Sequence, residues 1–347
     1  MKTILFCQNN YAFGILEPIR DVLKNRNYAY LWFVKDEIKD SFPYHLDDFT
    51  SEVSDLAAFK ADAIFVPGNE VPYYLKGLKV QIFHGLAGEK KGHFRIRHYF
   101  DLYLTQGPYF TRGFQKLNKK YKNFDVIETG WSKLDIYGKD SQKYNAYKAD
   151  LLQEHKAKKI LLYAPTFSPK LTSAPFLLDE FKALAKNKDY LILIKFHPLM
   201  ADEWIEKYKS LANEVPNIVF QSEKNIIKFL LISDLLISDT SSVIYEFLLL
   251  NKPVITFKNI SKQINWENSD DYKTLNVLIK KNLKEDPYAV QRDTIKKEYH
   301  PYDDGLSAER MVNATEDYIA KKGVPEKRKL PFLRRIKIHS IFGKSPT

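Results

Sequence analysis

Short apolar runs alternate with longer amphipathic stretches along most of the chain. The apolar runs are rich in Ile, Leu and Val on both faces, which is typical of buried parallel strands. The stretches between them have helical lengths, so the pattern predicts an α/β protein. The predicted strands are Thr3–Cys7, Tyr28–Val34, Ala63–Val66, Val80–Phe83, Leu102–Thr105 and Val126–Glu128, then Lys159–Tyr163, Tyr190–Phe196, Ile218–Phe220, Leu235–Ser238 and Pro253–Phe257.

The strands fall into two groups, separated by a polar stretch over residues 139–159 that predicts a helix or a linker. A length of 347 residues suits two domains. We therefore expect two doubly wound Rossmann-like domains, over residues 1–145 and 146–305. A closing helix over 306–324 and a separate tail over 325–347 complete the predicted organisation.

A histidine follows one of the central predicted strands. His84 and Gly85 come directly after Val80–Phe83, and Lys90 and Lys91 follow them. A histidine, a glycine that permits close backbone approach, and paired lysines suit a proton acceptor beside a phosphate. The alternative is a structural histidine in an ordinary turn with solvated lysines. In the second half His197 also follows a predicted strand, where a satisfied core histidine is the simpler interpretation.

A run of hydroxyl side chains follows another strand. Asp239, Thr240, Ser241 and Ser242 stand at the start of a predicted helix. Backbone N–H groups and the helix dipole favour a phosphate there. Asp, Ser and Thr also cap helices, but one cap needs only one such residue. We therefore expect a phosphate site, with Glu246 about one turn later within reach of a ribose hydroxyl.

Taken together, the segments along residues 80–260 resemble the CDP-glycerol glycerophosphotransferase family, the teichoic-acid primases and polymerases. They also share features with GT-B glycosyltransferases. The resemblance implies a GT-B fold, with two Rossmann-like domains that face a central cleft and the donor nucleotide held mainly by the C-terminal one. The matching residues are His84-Gly85 with Lys90 and Lys91, Thr129-Gly130 with Lys133 and Asp135, Tyr163 to Thr166, His197-Pro198, and Ser238-Asp239 with Ser241 and Ser242 before Lys252-Pro253.

The same resemblance implies a mechanism. His84 would be the general base on the acceptor hydroxyl, and His197 with the Thr240–Ser242 turn would hold the donor pyrophosphate, helped by Thr166. In that family the electrophile is phosphorus and CMP leaves. No metal is implied, because the positive helix end and the imidazoles take its place, and no cofactor is implied besides the nucleotide-activated donor. The expected acceptor or phosphate side consists of Gly85, Lys90, Lys91 and Asp135.

Because of two features, the sequence does not decide whether the donor is a CDP- or a UDP-activated compound. Glu246-Phe247 stands where the family usually has Asp-Phe, and a Glu there is typical of sugar-nucleotide enzymes. The segment Pro301–Arg310 resembles the closing loop of sugar-nucleotide epimerases. The Arg310 side chain would contact either a phosphate or simply a carboxylate. A polyol-phosphate transferase is the favoured hypothesis. A GT-B glycosyltransferase for capsule or lipopolysaccharide and a UDP-sugar 2-epimerase are the alternatives.

Of the features of the composition, charge bears most on the expected binding partners. The net charge of +11 suggests nucleic acid when taken alone. However, residues 321–347 hold nine Lys or Arg side chains against the single acid Glu326, so the rest of the chain is nearly neutral. Most of the aromatic residues lie inside apolar strand and helix runs, so they are assigned to the core and no nucleic-acid partner is expected.

The basic end also carries apolar residues at helical spacing. Phe332, Leu333 and Ile336 alternate with Arg334 and Arg335, and Lys329 precedes them. This pattern predicts a segment that lies on an anionic membrane. A final helix that docks on the domains is the alternative.

Other features of the sequence set the expected location. No apolar run reaches the length of a membrane span, and the N-terminal apolar stretch is too short for a signal peptide. Cys7 is the only cysteine, which excludes a disulfide framework. We expect a cytoplasmic enzyme attached peripherally to the inner face of the plasma membrane, acting on a glycan or lipid-linked acceptor.

Overall fold

The computed structural model describes residues 1–86, 88, 92–138, 140–223, 225–326, 328 and 330–345. The chain forms two compact units. Unit 1 consists of Met1–Lys139 and Glu298–Thr347, and unit 2 consists of Asp140–Lys297.

Unit 1 is built on a seven-stranded parallel sheet in the order β3-β2-β1-β4-β5-β6-β7. The order of the strands reverses between β1 and β4. Strands β4, β5 and β6 are buried along their whole length. Its strands are β1 Lys2–Cys7, β2 Ala29–Val34, β3 Phe49–Thr50, β4 Ala63–Val66, β5 Leu78–Gln81, β6 Leu102–Thr105 and β7 Asp125–Glu128. The first three helices of the chain are α1 Phe13–Asn25, α2 Val53–Phe59 and α3 Pro108–Tyr121.

Unit 2 is built on a six-stranded parallel sheet in the order β10-β9-β8-β11-β12-β13, which reverses between β8 and β11. One core cluster packs the aliphatic side chains of β8, β9 and β11 against Phe181 and Tyr208 of the covering helices. The strands are β8 Lys159–Tyr163, β9 Tyr190–Ile194, β10 Ile218–Phe220, β11 Leu235–Ser238, β12 Val254–Phe257 and β13 Glu267–Ser269. The helices are α4 Asn145–Glu154, α5 Ala174–Leu184, α6 Asp202–Glu214, α7 Ile227–Ile232, α8 Val243–Leu248, α9 Leu275–Lys284 and α10 Ala289–Tyr299, whose last residues belong to unit 1.

All eleven predicted strands are present, and the α/β class with two Rossmann-like domains is confirmed. The prediction missed β3 and β13, because these strands have only two and three residues and lie at sheet edges. The predicted strand Val80–Phe83 ends earlier, at Gln81. Phe83 has a φ of 60°, in the left-handed region that strands do not use.

The domain boundaries differ from the expected ones, because the chain returns to unit 1 at Glu298 and not near residue 305. The returning segment is held by residues far away in sequence. The buried His300 accepts a hydrogen bond from the Trp131 N–H at Nε2 (3.0 Å). The helix that follows, α11 (Ser307–Lys322), places Glu316 against Arg26 (2.8 Å) and the Tyr28 hydroxyl (2.5 Å).

The basic end of the chain is likewise part of unit 1 and not a separate tail. Its helix, α12 (Phe332–Phe342), buries Ile338 completely and packs Phe342 against the Phe6 ring, with ring centroids 5.7 Å apart. Ahead of the helix, Arg328 donates to both carboxylate oxygens of Asp101, at 2.8 Å from Nε to the nearer oxygen. One face of this segment therefore docks on the domain.

Candidate active site

The carboxyl ends of β8 and β11 meet where the strand order of unit 2 reverses, the usual ligand position in doubly wound sheets. Asp239, which is completely buried, follows β11 at this point. One of its carboxylate oxygens accepts the N–H groups of Thr166 (2.8 Å) and Thr240 (2.6 Å). The other accepts the N–H (2.8 Å) and the hydroxyl (2.9 Å) of Ser173.

These contacts give Asp239 a structural role, and its expected part in binding the donor phosphate stays a prediction. A buried carboxylate whose oxygens accept four hydrogen bonds organises the loop, and its charge would repel a phosphate. Burial raises the pKa of Asp239, and the N–H donors, first that of Thr166, oppose this shift. Asp239 therefore holds the Thr166 loop against the hydroxyl-rich turn.

The turn itself keeps its three hydroxyl side chains partly exposed. Thr240 Oγ1 accepts from the Ile260 N–H (3.4 Å), and Ser241 Oγ lies 3.5 Å from the Val243 N–H at the start of α8. Because α8 has only six residues, its dipole contributes less than the sequence suggested. Hydroxyls and turn N–H groups remain as the donors for an anion. Glu246 is 5% exposed, and its expected contact with a ribose stays a prediction.

His197 lies beyond β9 in the same unit, with an exposed side chain. Its ring stacks on Phe167, with centroids 4.5 Å apart, and its Nδ1 lies 3.1 Å from the Leu199 N–H. An N–H group can only donate, so Nδ1 is the acceptor and the proton of the neutral ring lies on Nε2. Partial desolvation, and then the Lys195 charge, lower the pKa of His197. The neutral ring thus presents an Nε2–H donor.

His84 also lies three residues beyond the end of a buried parallel strand, in this case β5 of unit 1. Its side chain is exposed, its ring lies 5.3 Å from that of Tyr11, and its Nδ1 is 3.0 Å from the Pro67 carbonyl oxygen. A carbonyl oxygen can only accept, so Nδ1 carries the proton and Nε2 carries the lone pair. This is the tautomer that a general base at Nε2 requires.

The remaining acceptor-side residues divide into three groups. Gly85 is open, since a Cβ built on it would meet no atom within 4 Å. Lys90 and Lys91 lie outside the described residues. Asp135 is occupied, because its two carboxylate oxygens accept the Ser307 and Ala308 N–H groups, each at 2.8 Å. Asp135 therefore caps the start of α11, and its expected role on the acceptor side stays a prediction.

Arg310 is also engaged within unit 1, whereas the other expected donor-site residues lie in unit 2. Its guanidinium donates to Asp304 (2.7 Å) and to the Thr129 carbonyl (2.8 Å), and it lies over the Tyr302 ring. The sequence allowed Arg310 either a phosphate or a carboxylate as partner, and the structure shows the carboxylate of Asp304. Gly130 joins the same contact: its φ is +85°, and a Cβ there would lie 2.4 Å from the Ser307 hydroxyl oxygen.

The outer face of α12 carries the apolar residues that the sequence singled out. Phe332, Leu333 and Ile336 are 74%, 79% and 50% exposed. Arg335 is exposed and Arg334 partly exposed beside them, while Lys329 lies outside the described residues.

Two buried glutamines near His84 were missed by the sequence analysis. Gln81 is the last residue of β5, and Gln106 directly follows β6. The signal that would have found them is a glutamine at the end of a strand that is expected to be buried, because a buried amide usually has hydrogen-bond partners.

A family model described as CDP-glycerol:poly(glycerophosphate) glycerophosphotransferase matches residues 77–263, more than half of the chain. The chain belongs to this family. The match runs from β5 to the loop after β12 and includes His84, His197 and the Thr240–Ser242 turn.

Individual relatives agree with the family match. The teichoic acid glycerol-phosphate primase of Bacillus subtilis is 30% identical over 159 residues, which are 45% of this chain and 39% of the primase. The chain spans only 22% to 39% of the length of the first curated relatives that it matches.

Solved structures share the fold. The wall teichoic acid polymerase TagF superimposes with a TM-score of 0.68 at 18% identity, covering 92% of this chain and 89% of that one. A UDP-N-acetylglucosamine 2-epimerase gives a TM-score of 0.61 at 15% identity, covering 95% of this chain and 97% of that one. The expected GT-B fold is thereby confirmed.

The described residues provide neither a metal-binding cluster nor a membrane-spanning helix. No group of three or more His, Cys, Asp or Glu side chains among them is arranged to hold a metal ion. Within the same residues, every helix is too short or too polar to cross a membrane.

Proposed function

We propose that the protein transfers glycerol phosphate, or a related polyol phosphate, from a CDP-activated donor to a glycan or lipid-linked acceptor in bacterial cell-surface polymer synthesis. The family match carries this proposal, because it covers both the His84 loop of unit 1 and the Thr240–Ser242 turn of unit 2. The relatives named as teichoic acid primases and polymerases support the same chemistry.

In the proposed reaction, His84 Nε2 takes the proton of the acceptor hydroxyl as its oxygen attacks the phosphorus of the polyol phosphate. A new P–O bond forms between the acceptor oxygen and the attacked phosphorus. The bond from that phosphorus to the oxygen that bridges the two phosphates of the donor breaks, and CMP leaves with the electron pair. Nε2–H of His197, together with the turn around Ser241 and Ser242, donates to phosphate oxygens and stabilises the charge on the leaving group. This mechanism assigns no step to a metal.

The test of transfer measures CMP release from CDP-glycerol and CDP-ribitol with a lipid-linked acceptor. We expect His84→Ala to abolish transfer while CDP still raises the thermal midpoint, since the nucleotide site is proposed in unit 2. His155→Ala is the matched control, because the Nδ1 of His155 also faces a proline carbonyl, that of Pro216 (2.8 Å), within unit 2. Full activity of His84→Ala would refute the base assignment. A midpoint that responds to UDP and UDP-sugars, but not to CDP, would favour the glycosyltransferase or the epimerase.

We further propose that the outer face of α12 attaches the protein to the inner, anionic face of the plasma membrane. Each of the exposed side chains Phe332, Leu333 and Ile336 gains roughly 1.5–3 kcal/mol when fully buried in an apolar phase. Arg334 and Arg335 add about 1 kcal/mol each near an anionic surface. The docked inner face holds the helix in place, so binding requires no separate ordering of the segment.

The attachment is tested with vesicles that contain anionic lipid. We expect the triple variant Phe332→Ser, Leu333→Ser and Ile336→Ser to bind them at least about tenfold more weakly, without loss of folding. A control that changes equally exposed apolar residues elsewhere, Leu46→Ser with Val277→Ser and Val290→Ser, should bind like the unmodified protein. Equal binding of the two triple variants would rule out attachment through α12.

A further inference from the structure

Two buried amide side chains donate to backbone carbonyls around His84. Gln81 is 2% exposed, and its Nε2 lies 3.1, 3.3 and 3.0 Å from the carbonyl oxygens of Val66, Pro67 and Gly68. Gln106 is completely buried, and its Nε2 lies 3.1 Å from the Gly85 carbonyl oxygen. The amide of Gln81 thus holds the loop that follows β4, while that of Gln106 holds the residue after His84.

The chemistry of the partners settles which way each amide points. Carbonyl oxygens only accept, so the NH₂ group and not the oxygen of Gln81 must face the three of them. Pro67 is central, because its oxygen receives both the Gln81 amide and the Nδ1–H of His84. The direction of this one carbonyl therefore links Gln81 to the tautomer of His84.

The backbone next to His84 needs such support. Phe83 is held at a φ of 60°, in the left-handed region that is unfavourable for a residue with a Cβ. Strained residues of this kind persist only where the surroundings over-determine them. Gln106 bonds the Gly85 carbonyl two positions after Phe83, and Gln81, two positions before it, bonds the Pro67 carbonyl that His84 contacts.

We propose that Gln81 and Gln106 are positioning residues for His84: through the carbonyls of Pro67 and Gly85 they set the direction of its ring and keep the proton on Nδ1. The inference deepens the proposed function, since it rests on His84 Nε2 being the general base. A ring with its proton on Nε2 would have no lone pair at that atom and could not take the proton of an acceptor hydroxyl.

The experiment reads the tautomer directly. In protein labelled with ¹⁵N-histidine, long-range ¹H–¹⁵N spectra show which ring nitrogen carries the proton, and His155, with its own carbonyl partner, is an internal reference. We expect His84 in the Nδ1–H form in the unmodified protein. In Gln81→Glu, carboxylate oxygens would face three carbonyl oxygens and repel them, so the Nδ1–H population should fall. Polyol-phosphate transfer should fall about 10- to 100-fold, as is typical when a supporting partner of a functional side chain is lost.

A matched control exists in unit 2. Asn217 is 3% exposed, and its Nδ2 also faces three carbonyl oxygens, those of Ala185, Asn187 and Tyr190. Asn217→Asp should lose stability while His84 keeps its Nδ1–H form. If Gln81→Glu does not fold, the tautomer of His84 is measured in Gln81→Met and Gln106→Met. These variants remove the donor without adding charge.

The outcomes separate the inference from the proposed function. A folded Gln81 variant in which His84 stays wholly in the Nδ1–H form would overturn the inference, whatever its activity. A tautomer change in that variant supports the inference even if the unmodified protein transfers no polyol phosphate, and in that case only the proposed function fails.

Discussion

His84 and His197 both follow a parallel strand, yet the neighbouring backbone gives their rings opposite hydrogen-bonding capacities. A carbonyl faces Nδ1 of His84, and an N–H faces Nδ1 of His197. In the neutral state, Nε2 of the first ring accepts a proton and Nε2 of the second donates one. One local contact each thereby gives the same residue type the two capacities that the proposed base and the proposed phosphate donor require.

A third histidine leads to a pH prediction. Burial, and then the Arg310 charge, lower the pKa of His300 from 6.5 to about 4. Its folded-state pKa is depressed, so its contribution to stability is complete above pH 6.5 and is lost as the pH falls towards 4. We expect this to cost about 2 kcal/mol of unfolding free energy between pH 7 and pH 5.

The variant His300→Gln keeps an acceptor for the Trp131 N–H but does not titrate. Urea unfolding at the two pH values should therefore show a smaller loss of stability in this variant than in the unmodified protein. His155→Gln, which changes a histidine of unit 2, is measured in the same way as the control for loss of a histidine side chain. An unchanged pH dependence in His300→Gln would show that His300 already titrates normally.

At the scale of elements, several residues that resemble family motifs serve to join segments. Asp135 caps α11, Gly130 lets the chain before that helix approach closely, and Asp239 ties the loop after β8 to the turn after β11. These residues hold together the segments on which the proposed site residues stand. Residues of a family motif can therefore also have a role in holding the fold together.

Helix α12 has two faces that predict different effects. Ile338 is completely buried, so Ile338→Ala should lower the unfolding free energy by about 2–5 kcal/mol. Phe332 is 74% exposed on the same helix, so Phe332→Ala should change it by less than about 0.5 kcal/mol. Chemical denaturation measures both. Equal effects would mean that α12 does not dock through Ile338.

At the scale of the whole molecule, unit 2 is one continuous segment, whereas unit 1 needs both ends of the chain. The C-terminal part supplies Glu316 to Arg26 and Tyr28, and it supplies Arg328 to the buried Asp101. Removal of Arg328 would leave a buried carboxylate without its cation, a change that typically costs 3–5 kcal/mol.

Separate fragments test this organisation. We expect residues 140–297 to unfold cooperatively on their own, and CDP to raise their thermal midpoint. Residues 1–139 should not unfold cooperatively, because they lack the segment that covers α1 and the sheet. Circular dichroism and thermal melting distinguish the two fragments, and a cooperative transition in 1–139 would contradict the dependence on the C-terminal segment.

Much of the fold could be predicted from the local pattern of apolar and polar residues. Buried parallel strands produce continuous apolar runs, so all eleven predicted strands appear, while the short edge strands β3 and β13 leave almost no periodic signal. His84, His197 and the Thr240–Ser242 turn were found because they directly follow such runs. Gln81 and Gln106 stand in equivalent places but were overlooked, since a glutamine reveals nothing until its carbonyl partners are known.

The sequence by itself determined the fold class, the family and the strand ends where polar groups gather, because each depends on neighbours within a few residues. Tertiary structure decided which of those groups are occupied: Asp135 by α11, Arg310 by Asp304, and one face of the basic segment by the domain. It also decided the tautomer-setting contact between Pro67 and His84. These contacts join residues that are far apart along the chain, and no local periodicity encodes them.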